Sequence, residues 1–159
     1  MAARKPAKSV RAKKKSPAKA KAAPRKSGAA SRSLALSDAS PSFTVNDLDK
    51  SLAWYRDVLG FAVEELWKDA GKVVGVSLRA GDVAFMIGQD DWKKGRDRKK
   101  GEGFRMFCMT KANVDDLAKR IEAKGGRLDQ GPTDQPWGVR DISMTDPDGF
   151  KITIAAAKR

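Results

Sequence analysis

The sequence predicts an α+β domain made of two modules with the same element order, βαβββ, behind a disordered basic tail. Three observations lead to this prediction. Acidic residues are missing from the beginning of the chain, two amphipathic helical patterns each follow a short apolar strand, and each helix ends at glycine before three further strand-like runs. The 159 residues leave room for one ordinary domain beyond the tail.

Charge sets the tail apart from the rest of the chain. Residues 1–33 hold 12 of the 33 lysines and arginines and no acidic residue, which leaves 21 basic against 20 acidic residues elsewhere. A segment of Ala, Lys, Pro, Arg and Ser cannot bury enough apolar surface to offset its chain entropy. We therefore expect residues 1–39 to be a disordered tail and hinge, and residues 40–157 to be the folded domain.

The composition of the tail indicates a polyanionic partner. Its Lys-Ser-Pro-Ala-Lys stretch resembles the low-complexity tails of linker histones, which implies weak, salt-sensitive binding to DNA or RNA phosphates without base reading. A solubilising, functionally neutral tail and a mitochondrial transit peptide are the alternatives. The cations expected to contact phosphates are Lys13, Lys14, Lys15, Lys19, Lys21, Arg25 and Lys26.

The same composition bears on location. No apolar run is long enough to span a bilayer, and the tail lacks the apolar stretch of a secretory signal. The single cysteine, Cys108, cannot form an intrachain disulfide, so nothing in the sequence indicates an oxidising compartment. We expect a cytoplasmic protein with no membrane partner, and nucleoid association is an alternative that the tail leaves open.

The first module is predicted over residues 40–90. A strand near 42–45 leads into a helix that Asn46 or Asp47 can cap and that Gly60 can end in the left-handed conformation. The apolar face of this helix consists of Leu48, Leu52, Tyr55 and Leu59. Three strands are expected near 61–67, 73–79 and 83–88.

The second module, over residues 103–157, follows a linker at 91–102 and repeats the order of the first. A strand near 104–110 precedes a helix that ends at Gly125, and sliding the chain by 65 residues places Gly60 on Gly125. The apolar face of the second helix consists of Val114, Leu117 and Ile121. Strands are expected near 127–129, 139–145 and 150–154. A different α+β sandwich with two helices is the alternative.

Two phrases connect the modules to a known family. Residues 43–61 are Phe-Thr-Val-Asn-Asp-Leu-Asp-Lys-Ser-Leu-Ala-Trp-Tyr-Arg-Asp-Val-Leu-Gly-Phe, and residues 146–154 are Asp-Pro-Asp-Gly-Phe-Lys-Ile-Thr-Ile. Together they resemble the vicinal-oxygen-chelate superfamily, which includes glyoxalase I, ring-cleaving dioxygenases, and bleomycin and fosfomycin resistance proteins. The resemblance covers residues 40–156. It implies two βαβββ modules whose mixed sheets curl around a cleft, and it implies a homodimer.

The resemblance also implies where a metal would be held, because metal-binding members use His and Glu side chains. The glutamate position is Thr153, the first-strand histidine position is Ser40, and the second-module position falls near Arg105 or Met106. The end of the first module offers Ala84, Met86 or Gly88. The chain has no histidine, and these side chains cannot hold a divalent ion unaided. We therefore expect no metal site and no cofactor, as in the ligand-sequestering bleomycin-resistance branch.

Strand alternation and the resemblance together select residues for the cleft. The residues expected to contact a small organic ligand are Thr44, Trp92, Trp137, Arg140, Asp141, Lys151 and Thr153. Other roles stay open for several of them. Lys151 could remain solvated at the cleft mouth, Trp137 could plug the end of the sandwich, and Arg140 could form a surface ion pair. Trp92 could anchor the linker or pack on a second protomer instead.

Three functions are compatible with these features. The first is a metal-independent small-molecule-binding protein, and the second is a lyase, isomerase or dioxygenase with an atypical active site. The third is a nucleoid-associated protein that uses the domain for dimerisation. The candidates for acid–base chemistry are Tyr55, Glu64, Glu65, Glu102 and Asp141. None of them pairs with a nucleophile in an evident way, so no catalytic residue is assigned.

Overall fold

The computed structural model describes residue 34 and residues 38–158 of the chain. Residues 1–33 of the predicted tail, which include the cations expected to contact phosphates, lie outside the described residues. The folded unit begins at Asp38. Within the described part of the chain, no helix combines the length and the apolar composition that crossing a membrane would require.

The first module has the predicted order of elements. They are β1 (Ser42–Val45), α1 (Leu48–Ala53) with a π-helical continuation (Trp54–Leu59), β2 (Ala62–Asp69), β3 (Lys72–Ala80) and β4 (Val83–Gln89). Asp47 caps α1 by accepting a hydrogen bond from the Lys50 amide, and Gly60 ends the π-helical turn at φ 86°. Both predicted end signals are therefore confirmed.

The second module repeats the first. Its elements are β5 (Arg105–Met109), α2 (Val114–Ala123), β6 (Gln130–Asp134), β7 (Val139–Thr145) and β8 (Lys151–Ala157). The strand predicted near 127–129 is wrong, because the regular strand lies at 130–134. Pro132 falls where the pairing of β6 with β7 is irregular, and β6 is an edge strand, where proline is tolerated. Gly125 has φ 82°, close to the value at Gly60, which supports the internal repeat.

Each module forms its own four-stranded mixed sheet. Sheet one has the order β1-β4-β3-β2 and sheet two the order β5-β8-β7-β6. In both sheets the first strand of the module pairs parallel to its last strand, and the other pairs are antiparallel. The predicted α+β class and the two βαβββ modules are thereby confirmed.

The two modules share one hydrophobic core. Phe43 of β1 lies at their junction, with its ring centroid 5.4 Å from Phe85 of its own module. The same ring is 4.4 Å from Phe150 and 5.7 Å from Phe104 of the second module. Aromatic pairs at these separations add to the free energy of simple area burial. The helix residue Tyr55 is fully buried in this cluster.

The turn that precedes β8 is also bound by the first module. Tyr55 donates its hydroxyl hydrogen bond to Asp146 over 2.9 Å, and Ser51 donates to Asp148 over 3.0 Å. The amide of Asn46 donates to the second oxygen of Asp148 over 2.7 Å. Asp146 also accepts from backbone amides of its own turn. The two aspartates therefore fix the turn and in addition join the two modules.

Loss of the Tyr55 hydroxyl should weaken this junction. Tyr55→Phe leaves one oxygen of the buried Asp146 without its donor, and we expect the free energy of unfolding to fall by about 1–3 kcal/mol at pH 7. Burial raises the pKa of Asp146, although its hydrogen bonds oppose this, so removal of one donor should raise the pKa further.

Protonation of Asp146 should reduce the effect of the substitution. A group whose folded-state pKa is raised adds stability at low pH, and this is lost as the pH rises through the folded-state pKa. The difference in the free energy of unfolding between wild type and Tyr55→Phe, measured by urea unfolding, should therefore be larger at pH 7 than in acid. An equal cost of Tyr55→Phe in an Asp146→Asn background would contradict the proposed coupling.

Candidate functional site

The side of sheet two that faces away from the core carries the residues of the candidate site. Arg105 is the register partner of Lys151, and Phe107 is the register partner of Thr153. Residues in register on neighbouring strands point to the same side of a sheet, whereas the intervening Met106 and Ile152 are buried in the core. We call this side the open face of sheet two. On this face Arg105 and Lys151 lie side by side, and the phenyl ring of Phe107 lies two residues farther along β5.

Arg105 and Thr153 are bonded to each other. The Arg105 guanidinium donates to the Thr153 hydroxyl over 2.6 Å, and Thr153 is only 5% exposed. These are two of the positions at which the resemblance implied metal ligands. A guanidinium repels a divalent cation, and a threonine hydroxyl is a weak metal ligand. The residues present therefore do not fit a metal ion. No group of three or more His, Cys, Asp or Glu that could hold a metal occurs among residues 38–158.

The linker after β4 is held by a buried carboxylate. Asp90 is 4% exposed and accepts hydrogen bonds from Lys100, from Arg98 and from the Trp92 amide. The Lys100 ammonium, which is itself buried, also donates to the Thr44 carbonyl oxygen over 3.3 Å. The hydrogen bond from Lys100, followed by those from Trp92 and Arg98, holds the pKa of Asp90 well below its usual range.

Two glycines bring the end of the linker onto the turn before β8. Gly101 and Gly149 have φ values of 70° and 98°, and a Cβ at Gly149 would lie 2.8 Å from the Lys100 carbonyl oxygen. A Cβ at Gly101 would overlap the Gly149 backbone. Because only glycine allows both the close approach and the positive φ, this contact depends on both glycines.

The linker, the turn and the open face of sheet two together line an open cavity of about 680 Å³. Five cationic side chains and two acidic ones line it. They are Arg98, Lys99, Lys100, Arg105 and Lys151, with Glu102 and Asp148. The volume falls within the range of small-molecule sites. Cations outnumber acids, so the cavity favours anions.

The structure brings some of the predicted ligand residues together. Lys151 lines the cavity, and Thr153 lies beside it under the Arg105 guanidinium. Thr44 lies on the other side of the linker, where it lines two smaller hollows with Arg98. Trp92 is half-buried, has φ 59°, and packs its ring under the Arg96 guanidinium at 4.4 Å. The roles of these residues in ligand binding stay predictions.

The remaining predicted residues lie near the opposite end of sheet two. Arg140 forms a two-bond ion pair with Asp115 and a further pair with Asp134, all over 2.8 Å. These bonds raise the pKa of Arg140. Asp141 is buried and accepts from the Gln135 side-chain amide over 2.9 Å. Trp137 is 66% exposed at the turn between β6 and β7. None of these three side chains lines the 680 Å³ cavity.

Sequence reasoning missed several residues at the open faces of the sheets. Arg105 was expected only near a metal-ligand position that lacks a ligand, and Phe107 was not among the predicted ligand residues. The signal for both was parity with Thr153, since alternate residues of a strand share a face. Trp67 was also missed: its ring covers Gly75 on the neighbouring strand of sheet one, and a Cβ at Gly75 would lie 2.7 Å from it.

Three of the five acid–base candidates, Tyr55, Glu64 and Asp141, have hydrogen-bond partners within the domain. Glu64 accepts from Arg79 and from Ser77, and these bonds lower the pKa of Glu64. Tyr55 is used in the module junction. Cys108 is half-buried, and burial raises the pKa of its thiol, which makes a reactive thiolate less accessible.

Several solved structures share this fold. The crystal structure of TioX from Micromonospora sp. ML1 matches with a TM-score of 0.60 and 20% identity, over 77% of this chain and 98% of that one. A glyoxalase/bleomycin resistance protein/dioxygenase from Nocardioides matches with a TM-score of 0.62 and 16% identity, over 82% and 89% of the two chains. At these identities the likeness establishes the fold alone.

A third structure, a glyoxalase-related enzyme from Clostridium phytofermentans, gives a TM-score of 0.60 and 18% identity over 79% of this chain and 98% of that one. No curated protein matches the chain. A family model, by contrast, matches residues 39–154, which is most of the chain and includes both modules. The chain therefore belongs to the Glyoxalase/Bleomycin resistance protein/Dioxygenase superfamily.

Proposed function

We propose that the domain is a bleomycin-resistance-like protein that binds a small organic molecule without a metal ion. The observation that supports this most is the bond between Arg105 and Thr153, because a fixed cation stands where a metal-binding relative would need a carboxylate or an imidazole. A positive charge at this place can attract an anionic or carbonyl-bearing ligand directly. The neighbouring cavity offers the space for one.

An enzyme remains the second candidate. A lyase or isomerase that used only side chains would need a base within reach of a substrate in the cavity. Glu102 is the cavity carboxylate available for that role, since Asp148 is bonded to Ser51 and Asn46. Replacement of Glu102 by Gln should abolish any turnover of a bound ligand, whereas a pure binding protein would retain its affinity.

Metal content tests the metal-independence part of the proposal. We expect elemental analysis of protein purified without a His-tag to find no stoichiometric Zn, Ni, Mn or Fe. We also expect no selective rise in the melting temperature when each ion is added, because the cavity is lined mainly by cations. A stoichiometric metal, or selective stabilisation by one ion, would contradict the proposal and favour the enzyme.

We propose, in addition, that the tail binds nucleic acid without sequence preference. The 12 cations of residues 1–33, with no acid among them, support this. Replacing the seven tail cations named above by glutamine in the full chain should weaken DNA binding at low salt. Unchanged binding would contradict the proposal and the suggested nucleoid association.

A homodimer is the assembly that we propose for the domain in the cytoplasm. Large exposed apolar side chains on β2 and β3 of sheet one support it, because Leu66 is 46% exposed and Val63 and Val74 are each 37% exposed. Analytical ultracentrifugation should give the mass of two chains. A monomer at micromolar concentration, unchanged by Leu66→Ser, would contradict this assembly.

A further inference from the structure

We infer that the cavity beside β5 and β8 binds an organic anion, with a phosphate or carboxylate head on Arg105 and Lys151 and a flat apolar body on Phe107. This inference rests on the proposed function, since it names the ligand class of the same domain. Its test below separates failure of the ligand class from failure of small-molecule binding.

The backbone register places the cations and the ring in the right order. Arg105 and Lys151 are partners across neighbouring strands, and Phe107 is two residues farther along β5 on the same face. Neighbouring strands lie about 4.8 Å apart and a strand rises about 3.3 Å per residue. The distance from the two cations to Phe107 is therefore about the length of one aryl group. A head group bound between the cations would place a directly attached ring against Phe107.

The guanidinium is oriented and still has donors to offer. One nitrogen of Arg105 donates to the buried Thr153 hydroxyl, which restricts the side chain. An arginine has five N–H donors in a planar fork, so donors remain for a second acceptor. Charge-assisted bonds from such a fork to a phosphate or carboxylate are among the strongest hydrogen bonds in proteins.

The positive charge of the cavity is only partly neutralised by protein groups. Among the described residues, Arg105, Lys151 and Lys99 form no ion pair within 4.0 Å. Of the two lining acids, Asp148 already accepts hydrogen bonds on both oxygens, and Glu102 is the one that opposes an anion. An anion would therefore meet more cationic than acidic side chains.

The apolar part of the inference comes from two large side chains on the same face. Phe107 is 50% exposed and Met109, two residues farther along β5, is 55% exposed. Side chains of this size beside a charged cavity are suited to a flat or aliphatic ligand body. A purely inorganic anion would leave them uncovered, which is why we specify an organic one.

Titration of the full chain with phenyl phosphate tests the inference. Comparison ligands are inorganic phosphate, phenol and phenyltrimethylammonium, and backbone amide shifts in two-dimensional NMR spectra report where each ligand binds. We expect phenyl phosphate to shift the amides of Arg105, Phe107 and Lys151. We expect it to bind about 10-fold more tightly than inorganic phosphate or phenol.

Matched variants separate this cavity from the basic tail, which every variant retains. Arg105→Gln and Lys151→Gln should each weaken the binding of phenyl phosphate about 10-fold or more. Phe107→Ser should also weaken the binding of phenyl phosphate but leave the binding of inorganic phosphate unchanged. Lys119→Gln removes an exposed cation of α2 and should leave binding within about twofold. Both glutamine variants replace exposed side chains, so at least one should fold.

Three results would overturn the inference in different ways. Binding of phenol or phenyltrimethylammonium at the cavity without binding of phenyl phosphate would refute the anion and leave the small-molecule function in place. Shifts that persist unchanged in Arg105→Gln and Lys151→Gln would show that the anion binds elsewhere. If no ligand of any charge moved the cavity amides, the proposed function would fail together with the inference.

Discussion

Gly101→Ala is expected to lower the free energy of unfolding by about 3 kcal/mol. A Cβ at this position would overlap the carbonyl carbon and oxygen of Gly149. These are backbone atoms, so they cannot move away without moving the turn. The φ of 70° adds the cost of placing an alanine in the left-handed region. Because Gly101 lines the cavity, the substitution should also separate the linker from the turn before β8.

Gly103→Ala is the matched control for this effect. Gly103 has φ 74°, which is close to that of Gly101, but a Cβ there would have no neighbour within 4 Å. Its substitution should cost only the conformational part, about 1 kcal/mol. Urea unfolding of both variants measures the difference. Equal costs would show that the Gly101–Gly149 contact does not hold the linker.

Asp90→Asn is expected to lower the melting temperature at pH 7 by about 10 °C. Its carboxylate is the partner of two cations, one of which, Lys100, has a side chain only 5% exposed. An asparagine cannot neutralise these charges, and the ammonium of Lys100 would stay buried beside the Arg98 guanidinium. Removing one partner of a buried ion pair costs far more than removing a surface pair.

The effect of Asp90→Asn should depend on pH in a defined direction. The folded-state pKa of Asp90 is lowered, so its carboxylate adds stability above the unfolded-state pKa, near 3.8. That contribution is lost as the pH falls toward the lower folded-state value. The difference in melting temperature should thus shrink between pH 5 and pH 2.5, as calorimetry would measure.

Asp91→Asn is the control for the charge change. Asp91 is exposed and pairs with Lys93 over 3.1 Å, so its loss should change the melting temperature little. Similar losses for the Asp90 and Asp91 variants would mean that the buried carboxylate does not anchor the linker.

Most of the fold could be predicted from the repeated pattern of elements in the sequence. Helix periodicity, an aspartate cap and the glycines at 60 and 125 act locally, so each could be located without knowledge of the rest of the chain. The prediction of a strand near 127–129 was wrong because Leu128 packs on the core without regular strand pairing. The observed strand, β6, includes Pro132, and proline in a sequence usually argues against a strand.

The candidate site was harder to predict, because it depends on contacts between distant segments. Parity placed Lys151 and Thr153 on the same face of one strand, β8. It did not give the orientation of Arg105 toward Thr153, which lies 48 residues away. In the sequence, the linker at 91–102 is mainly a run of charged residues. Its buried Asp90–Lys100 pair and the Gly101–Gly149 contact arise only when the linker folds against β1 and the final turn.

The phenyl phosphate titration repeated in excess EDTA tests most directly whether protein cations, rather than a metal, receive the ligand. We expect the amides of Arg105, Phe107 and Lys151 to shift to the same extent with and without the chelator. Shifts that vanish in EDTA and return when Zn²⁺, Ni²⁺ or Mn²⁺ is added in excess would contradict metal-independent binding.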